Sequence, residues 1–255
     1  MTDNAKIIAA VGKGGVGKTS LSAAFVRILA QKHPDKRILA VDADPAVGLS
    51  TALGVHVGLT LDDIRKSIVN SVSEGNTREA IEMLNEARFR VLDALTEKDG
   101  FYFIAIGRPE AAGCYCKVNA YLKEVIELIT RDFDYVIIDG EAGIEQINRR
   151  VMEKVTHLVL VTDASRKGIQ VINTIKDVAD GLVMYDEYGV IVNRLPEGLK
   201  KEDVAVPENK LLCVIPDDPS QAKNDMYGES VFALPDDSPL IKGAATALRK
   251  LGITE

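Results

Sequence analysis

Gly12-Lys13-Gly14-Gly15-Val16-Gly17-Lys18-Thr19, set directly behind the apolar run Ile7 to Val11, decides the fold of this chain. A strand that delivers a glycine-rich turn to a helix N-terminus gathers backbone N–H groups and the helix dipole onto one anion. In that arrangement Lys18 reaches the β- and γ-phosphates of a nucleotide and the Thr19 hydroxyl faces Mg²⁺. Gly12, Gly14, Gly15, Val16 and Gly17 form the cradle, and Ser20 carries it into a helix whose spacing is marked by Leu21, Phe25, Ile28 and Leu29. The complete G-x-x-x-x-G-K-[ST] pattern, with strand before and helix after, reads as a nucleotide site. Lys13 is an additional lysine at the second position of the loop.

Outward from the loop, short runs that are apolar on both faces recur at Lys6 to Val11, Ile38 to Val41, Phe101 to Ile106, Tyr135 to Ile138, His157 to Thr162, Val190 to Val192 and Leu211 to Ile215. Such runs, separated by helical stretches, predict an α/β fold: a mostly parallel central sheet with helices on both faces and right-handed crossovers. Ligands of such sheets sit at the carboxyl ends of the strands. The loop follows strand one, Asp42 and Asp44 follow strand two, Asp139 ends strand four and Asn193 follows strand six. The alternation continues without a Pro/Ser-rich linker, which predicts one domain over residues 1–255.

Between residues 59 and 98, Ile81, Leu84, Ala87, Val91, Leu92 and Leu95 recur at helical spacing in a polar stretch longer than a simple crossover needs. A pair of covering helices and a partner-facing lobe both fit it. Ser238-Pro239 reads as N-cap and first-turn proline of a last helix ending near Leu251.

The chain of 255 residues carries a net charge of −7, and its basic residues are scattered instead of forming a stripe. That excludes the electrostatic footprint of a nucleic-acid binder, and no stable membrane association is expected. Three cysteines, no charged-then-apolar leader and no apolar run near about eighteen residues predict a cytoplasmic protein without disulfides.

With Lys13 in the loop, Asp42-Ala43-Asp44-Pro45 behind strand two and Asp139-Gly140-Glu141-Ala142-Gly143-Ile144-Glu145 behind strand four, the chain resembles the deviant Walker A ATPases. That group includes the MinD and ParA positioning ATPases, the nitrogenase iron protein and metal-centre maturation ATPases. The resemblance covers nearly the whole chain and implies a P-loop NTPase that hydrolyses ATP to ADP with Mg²⁺. It implies that Asp44 orients the attacking water, that Asp139 holds Mg²⁺ through a coordinated water, and that the Gly143 N–H approaches the γ-phosphate. Lys13, by the same resemblance, crosses to the other subunit of an ATP-sandwiched homodimer and acts with Lys18 on transition-state charge. Asn193, with Arg194 beside it, matches the position that contacts adenine, although an asparagine there also suits capping of its own turn. Ile215-Pro216-Asp217-Asp218 resembles the late nucleotide-contacting segment, which assigns Pro216 and Asp217 to the nucleotide. Asp42 reads equally as a cap for local N–H groups or as an outer Mg²⁺ contact.

Gly113-Cys114-Tyr115-Cys116-Lys117 narrows the load. It resembles the Cys-x-Cys loop of the CooC-type ATPases, which are linked to nickel insertion into carbon monoxide dehydrogenase, and of relatives serving acetyl-CoA synthase. The match implies that Cys114 and Cys116 bind Ni²⁺ or Zn²⁺ and that the partner is a client nickel enzyme. Two thiolates fall short of the four ligands these ions prefer, so a second subunit would complete the site. Thiolates alone do not separate nickel or zinc from copper(I) or an iron-sulfur cluster. Two other functions stay open: a MinD- or ParA-type positioning switch and an ATP-dependent iron-sulfur electron donor. Against the switch stand the acidic net charge and the tail Ala244 to Leu251, which lacks the apolar and basic faces of a membrane-surface helix. Cys213, inside Leu211 to Ile215, reads as core, and His33, His56 and His157 show no ligand spacing.

Overall fold

The computed structural model describes residues 5–44, 47–73, 77–107, 116–140, 151 and 153–255. Among the described residues eight strands form one sheet: β1 Lys6–Gly12, β2 Ile38–Asp42, β3 Thr96–Lys98, β4 Phe101–Ala105, β5 Tyr135–Asp139, β6 Lys154–Thr162, β7 Met184–Leu195 and β8 Leu211–Pro216. Their order is β3-β4-β2-β5-β1-β6-β7-β8, with every neighbouring pair parallel except β3 and β4. This is the mostly parallel α/β sheet that the sequence predicts.

Nine α-helices are described: α1 Lys18–Lys32, α2 Gly48–Leu53, α3 Leu61–Ser73, α4 Thr77–Asn85, α5 Ala87–Asp93, α6 Cys116–Thr130, α7 Arg166–Leu182, α8 Pro219–Tyr227 and α9 Pro239–Lys250. Side chains alternate across a strand, so each central strand feeds two cores. Ile8, Ala40, Ile137, Val159 and Val161 pack with α1, α2 and α9, where Leu21, Phe25 and Leu29 are buried. Ala9, Leu39, Val136, Leu158 and Leu160 pack on the other face with α3, α5, α6 and α7. This double burial explains why the strands read as apolar throughout.

The sequence missed one strand. β3 is short and polar and pairs only at the sheet edge, through a two-residue turn at Asp99 (φ 45°) and Gly100 (φ 85°). An Asp-Gly pair at left-handed backbone angles suits a tight hairpin, and this was the available signal. β6 and β7 also begin earlier than their apolar runs, because Lys154 and Val155 pair with Met184 and Tyr185. His157 consequently lies inside β6 and is buried, not at a strand opening. Over residues 59–98 the described helices number three, α3, α4 and α5, instead of a pair.

Candidate active site

β1 runs between β5 and β6, and its last residue, Gly12, faces Val161. A Cβ on Gly12 would stand 2.0 Å from the Val161 carbonyl oxygen, so only glycine lets the strand continue into the loop at this spacing. Gly17 supplies the left-handed turn (φ 87°) that starts α1, and no side chain caps that helix. The first-turn N–H groups therefore face the loop interior, which suits them to an anion.

Lys18 is buried and folds back on the loop, its Nζ donating to the Lys13 carbonyl at 3.2 Å. Lys13 points across to the end of β6, where its Nζ meets Asp163 Oδ2 at 2.7 Å. Gly14 and Gly15 are exposed between them, while Val16 is buried.

Opposite the helix start, Asp139 closes β5 with no exposure. Ser22 Oγ donates to its Oδ1 at 3.2 Å, and the Thr19 hydroxyl lies close enough to its carboxylate to lower its pKa. Asp139 Oδ2 is buried without a hydrogen-bond partner. An orphaned buried carboxylate oxygen beside a hydroxyl is a donor set that fits a hard divalent cation such as Mg²⁺. Burial pushes the Asp139 carboxyl up to about 6, against the opposing pull of Thr19, Ser22 and Lys18.

Asp42 stands beside it in register on β2 and is equally buried. Burial first and the Asp139 charge second push it up to about 7. Of its two sequence readings, capping is present: its oxygens accept from Asp44 N at 3.2 Å and Leu49 N at 2.9 Å. These bonds shape the turn that carries Asp44, which lies half-buried at the same strand-end edge.

Asn193 and Arg194, at the end of β7, both engage the loop backbone. Asn193 Nδ2 donates to Val16 O at 2.8 Å and Arg194 Nη1 to Gly15 O at 2.9 Å. Pro216 and Asp217 are exposed at the end of β8, with Asp217 N bonded to Leu195 O at 3.1 Å. Ser20 accepts from Gln221 Nε2 of α8 at 2.8 Å. Cys116 is the first residue of α6, while Cys114 and Gly143 lie outside the described residues. Among the described residues no group of three or more His, Cys, Asp or Glu is placed to hold a metal ion. Cys213 is buried in β8, which pushes its thiol up to about 12.

Sequence reasoning passed over Asp163, Ser22 and Gln221. Asp163 directly follows β6, so the strand-end rule that found Asp42 and Asp139 would have found it too. Ser22 and Gln221 carry no such signal, because their partners are remote in the chain.

This sheet, loop and carboxylate arrangement define a P-loop ATPase of MinD/ParA-like architecture. The chain belongs to the family whose model, described as AAA domain, matches residues 5–184. It is 33% identical over 249 residues to an uncharacterized ATP-binding protein of Methanocaldococcus jannaschii, covering 96% of this chain and 98% of the relative. It is 27% identical to the carbon monoxide dehydrogenase accessory protein CooC of Rhodospirillum rubrum, covering 94% of each chain. Its fold matches the MinD cell division protein of Aquifex aeolicus with a TM-score of 0.68 at 19% identity, over 98% of both chains.

Proposed function

We propose that this ATPase is a metal-centre maturation factor that loads nickel into carbon monoxide dehydrogenase or acetyl-CoA synthase, using a homodimer closed by ATP. The observation that carries the reading is the Cys114-x-Cys116 pair in the sequence after β4, with Cys116 the first residue of α6. β4 itself ends at the carboxyl edge of the sheet that also carries the P-loop, where Ile106 N bonds Asp42 O at 2.8 Å. The similarity to CooC supports the same reading.

In this proposal the first-turn N–H groups of α1 and Lys18 bind the phosphates, while Thr19 and Asp139 hold Mg²⁺, which neutralises phosphate charge when bound. Asp44 orients water for in-line attack. Asn193 reads adenine while its amide stays on Val16 O, with Arg194, Pro216 and Asp217 closing over the base. Gly143 follows the γ-phosphate. Lys13 leaves Asp163 and reaches the other subunit's phosphates. Cys114 and Cys116 from two subunits supply four thiolates for one Ni²⁺ or Zn²⁺ cargo ion. The apolar face of α9, with Leu240, Ile241, Ala244, Ala247 and Leu248, is buried, which disfavours its use as a membrane-surface helix.

The test is an anaerobic titration with Ni²⁺ and Zn²⁺ of the wild type and of Cys114→Ser/Cys116→Ser, with and without a non-hydrolysable ATP analogue. About one tight ion per dimer, lost in the double variant and shifted by nucleotide, is expected. Binding that is indifferent to both cysteines rules the maturation reading out and leaves the ATPase.

A further inference from the structure

Helices α4 and α5 leave apolar surface that the fold does not use. Ala87 and Val91 are buried, but Ile81, Phe89 and Leu92 are 54%, 68% and 41% exposed. Isolated exposed apolar side chains are ordinary, whereas these occur together on two consecutive short helices. Phe89 also lines an open groove of about 720 Å³ between α3 and α5, together with Leu59 and Ile64.

The charged lining of this groove is unbalanced. Among the described residues that line it, Asp63, Glu86 and Asp93 are set against one cation, Arg90. That guanidinium is already committed within the wall, with Nη1 donating to Ser67 Oγ at 3.3 Å and Nε 3.9 Å from Glu86. Asp63 is held in place by the Thr60 backbone N–H at 3.0 Å and hydroxyl at 2.6 Å, bonds that together with the nearby Lys66 charge keep its carboxyl below the usual range. The start of α3, which contributes Asp63 and Ile64 to the groove, is tied to the chain just after β4 by the bond from Asp62 N to Ile106 O at 2.9 Å.

We propose that this groove docks a cationic amphipathic helix of a partner protein. Its apolar side chains cover Phe89, and its Lys or Arg side chains meet Asp63, Glu86 and Asp93. The acidic rim repels the other candidate occupants: an anionic lipid surface, and a second copy of a chain with net charge −7. The inference is independent of the cysteine pair, because it shares no residue with it.

The test uses the full chain and a fluorescent synthetic helix with leucines on one face and lysines on the other, followed by anisotropy at about 0.15 M salt. A peptide with glutamates replacing the lysines is the control. Phe89→Ser and Glu86→Lys/Asp93→Lys change exposed side chains, so thermal melting and basal ATP turnover remain as in the wild type. The lysine peptide is expected to bind the wild type, each variant to weaken it about tenfold or more, and the glutamate peptide not to bind. The proposal is overturned if the lysine peptide fails to bind or binds the variants equally well. It is overturned too if Phe89→Ser abolishes self-association of the wild type, or abolishes its binding to anionic vesicles.

Discussion

Lys13 Nζ and Asp163 Oδ2 form an ion pair of 2.7 Å inside one subunit, bridging the phosphate loop and the end of β6. Burial raises the Asp163 carboxyl, but bonds from Lys13 and Ser165 outweigh it and hold the group below its ordinary value. Each side chain is about one-third exposed, so the pair is worth no more than about 1 kcal/mol. In the proposed dimer, a nucleoside triphosphate on the second subunit would compete against this weak tether.

Lys13→Ala should keep the monomer fold, with a stability change under about 1 kcal/mol, and lose about a hundredfold or more of turnover. Wild-type specific activity should rise with protein concentration, and the variant's should stay flat. Turnover in the variant matching the wild type would remove the trans-lysine mechanism.

Gly12→Ala and Gly14→Ala should separate sharply. The first places a Cβ against the Val161 carbonyl and should cost about 3 kcal/mol or more, because two paired strands must part. The second meets no heavy atom within 4 Å and should shift stability by less than about 0.5 kcal/mol. Urea denaturation of both variants checks the contrast.

The buried Asp42 and Asp139 pair sets a pH dependence of stability. Both carboxyls titrate higher folded, at about 7 and about 6, than at the ordinary value of 3.8. The folded state therefore holds more protons than the unfolded one between about pH 4 and 7. Their contribution is full below about pH 4 and is lost as pH rises through 6 to 7. Asp42→Asn should flatten this window, on the order of 2 kcal/mol, and Mg²⁺ with ADP should flatten it in the wild type. Melting curves taken from pH 5 to pH 8 would expose a slope of the opposite sign.

Asp218 joins two helix starts: its Oδ1 accepts from Ser220 N and Gln221 N, and its Oδ2 from Ser238 Oγ and Leu240 N. Asp218→Ala should cost about 3 kcal/mol, more than a single lost cap, because four donors at the starts of α8 and α9 lose their acceptor. A chemical denaturation midpoint unchanged from wild type would contradict this account.

The phosphate loop, the strands buried on both faces and the acids at their carboxyl ends were legible in the chain before it folded. All three are local: glycine spacing, apolar runs and strand-end residues are contiguous in the chain. The N-cap at Ser238 and the core position of Cys213 were legible for the same reason, and both occur in the structure. Helical spacing over residues 59–98 likewise announced helices, but not that Ile81 and Leu92 face outward. Which partners the site residues take was set by the folded arrangement. Lys13 meets Asp163, Asn193 meets Val16 and Gln221 meets Ser20 across separations of 150, 177 and 201 residues. Such contacts depend on strand order, and a β-strand's own residues do not specify which parallel neighbour it will acquire.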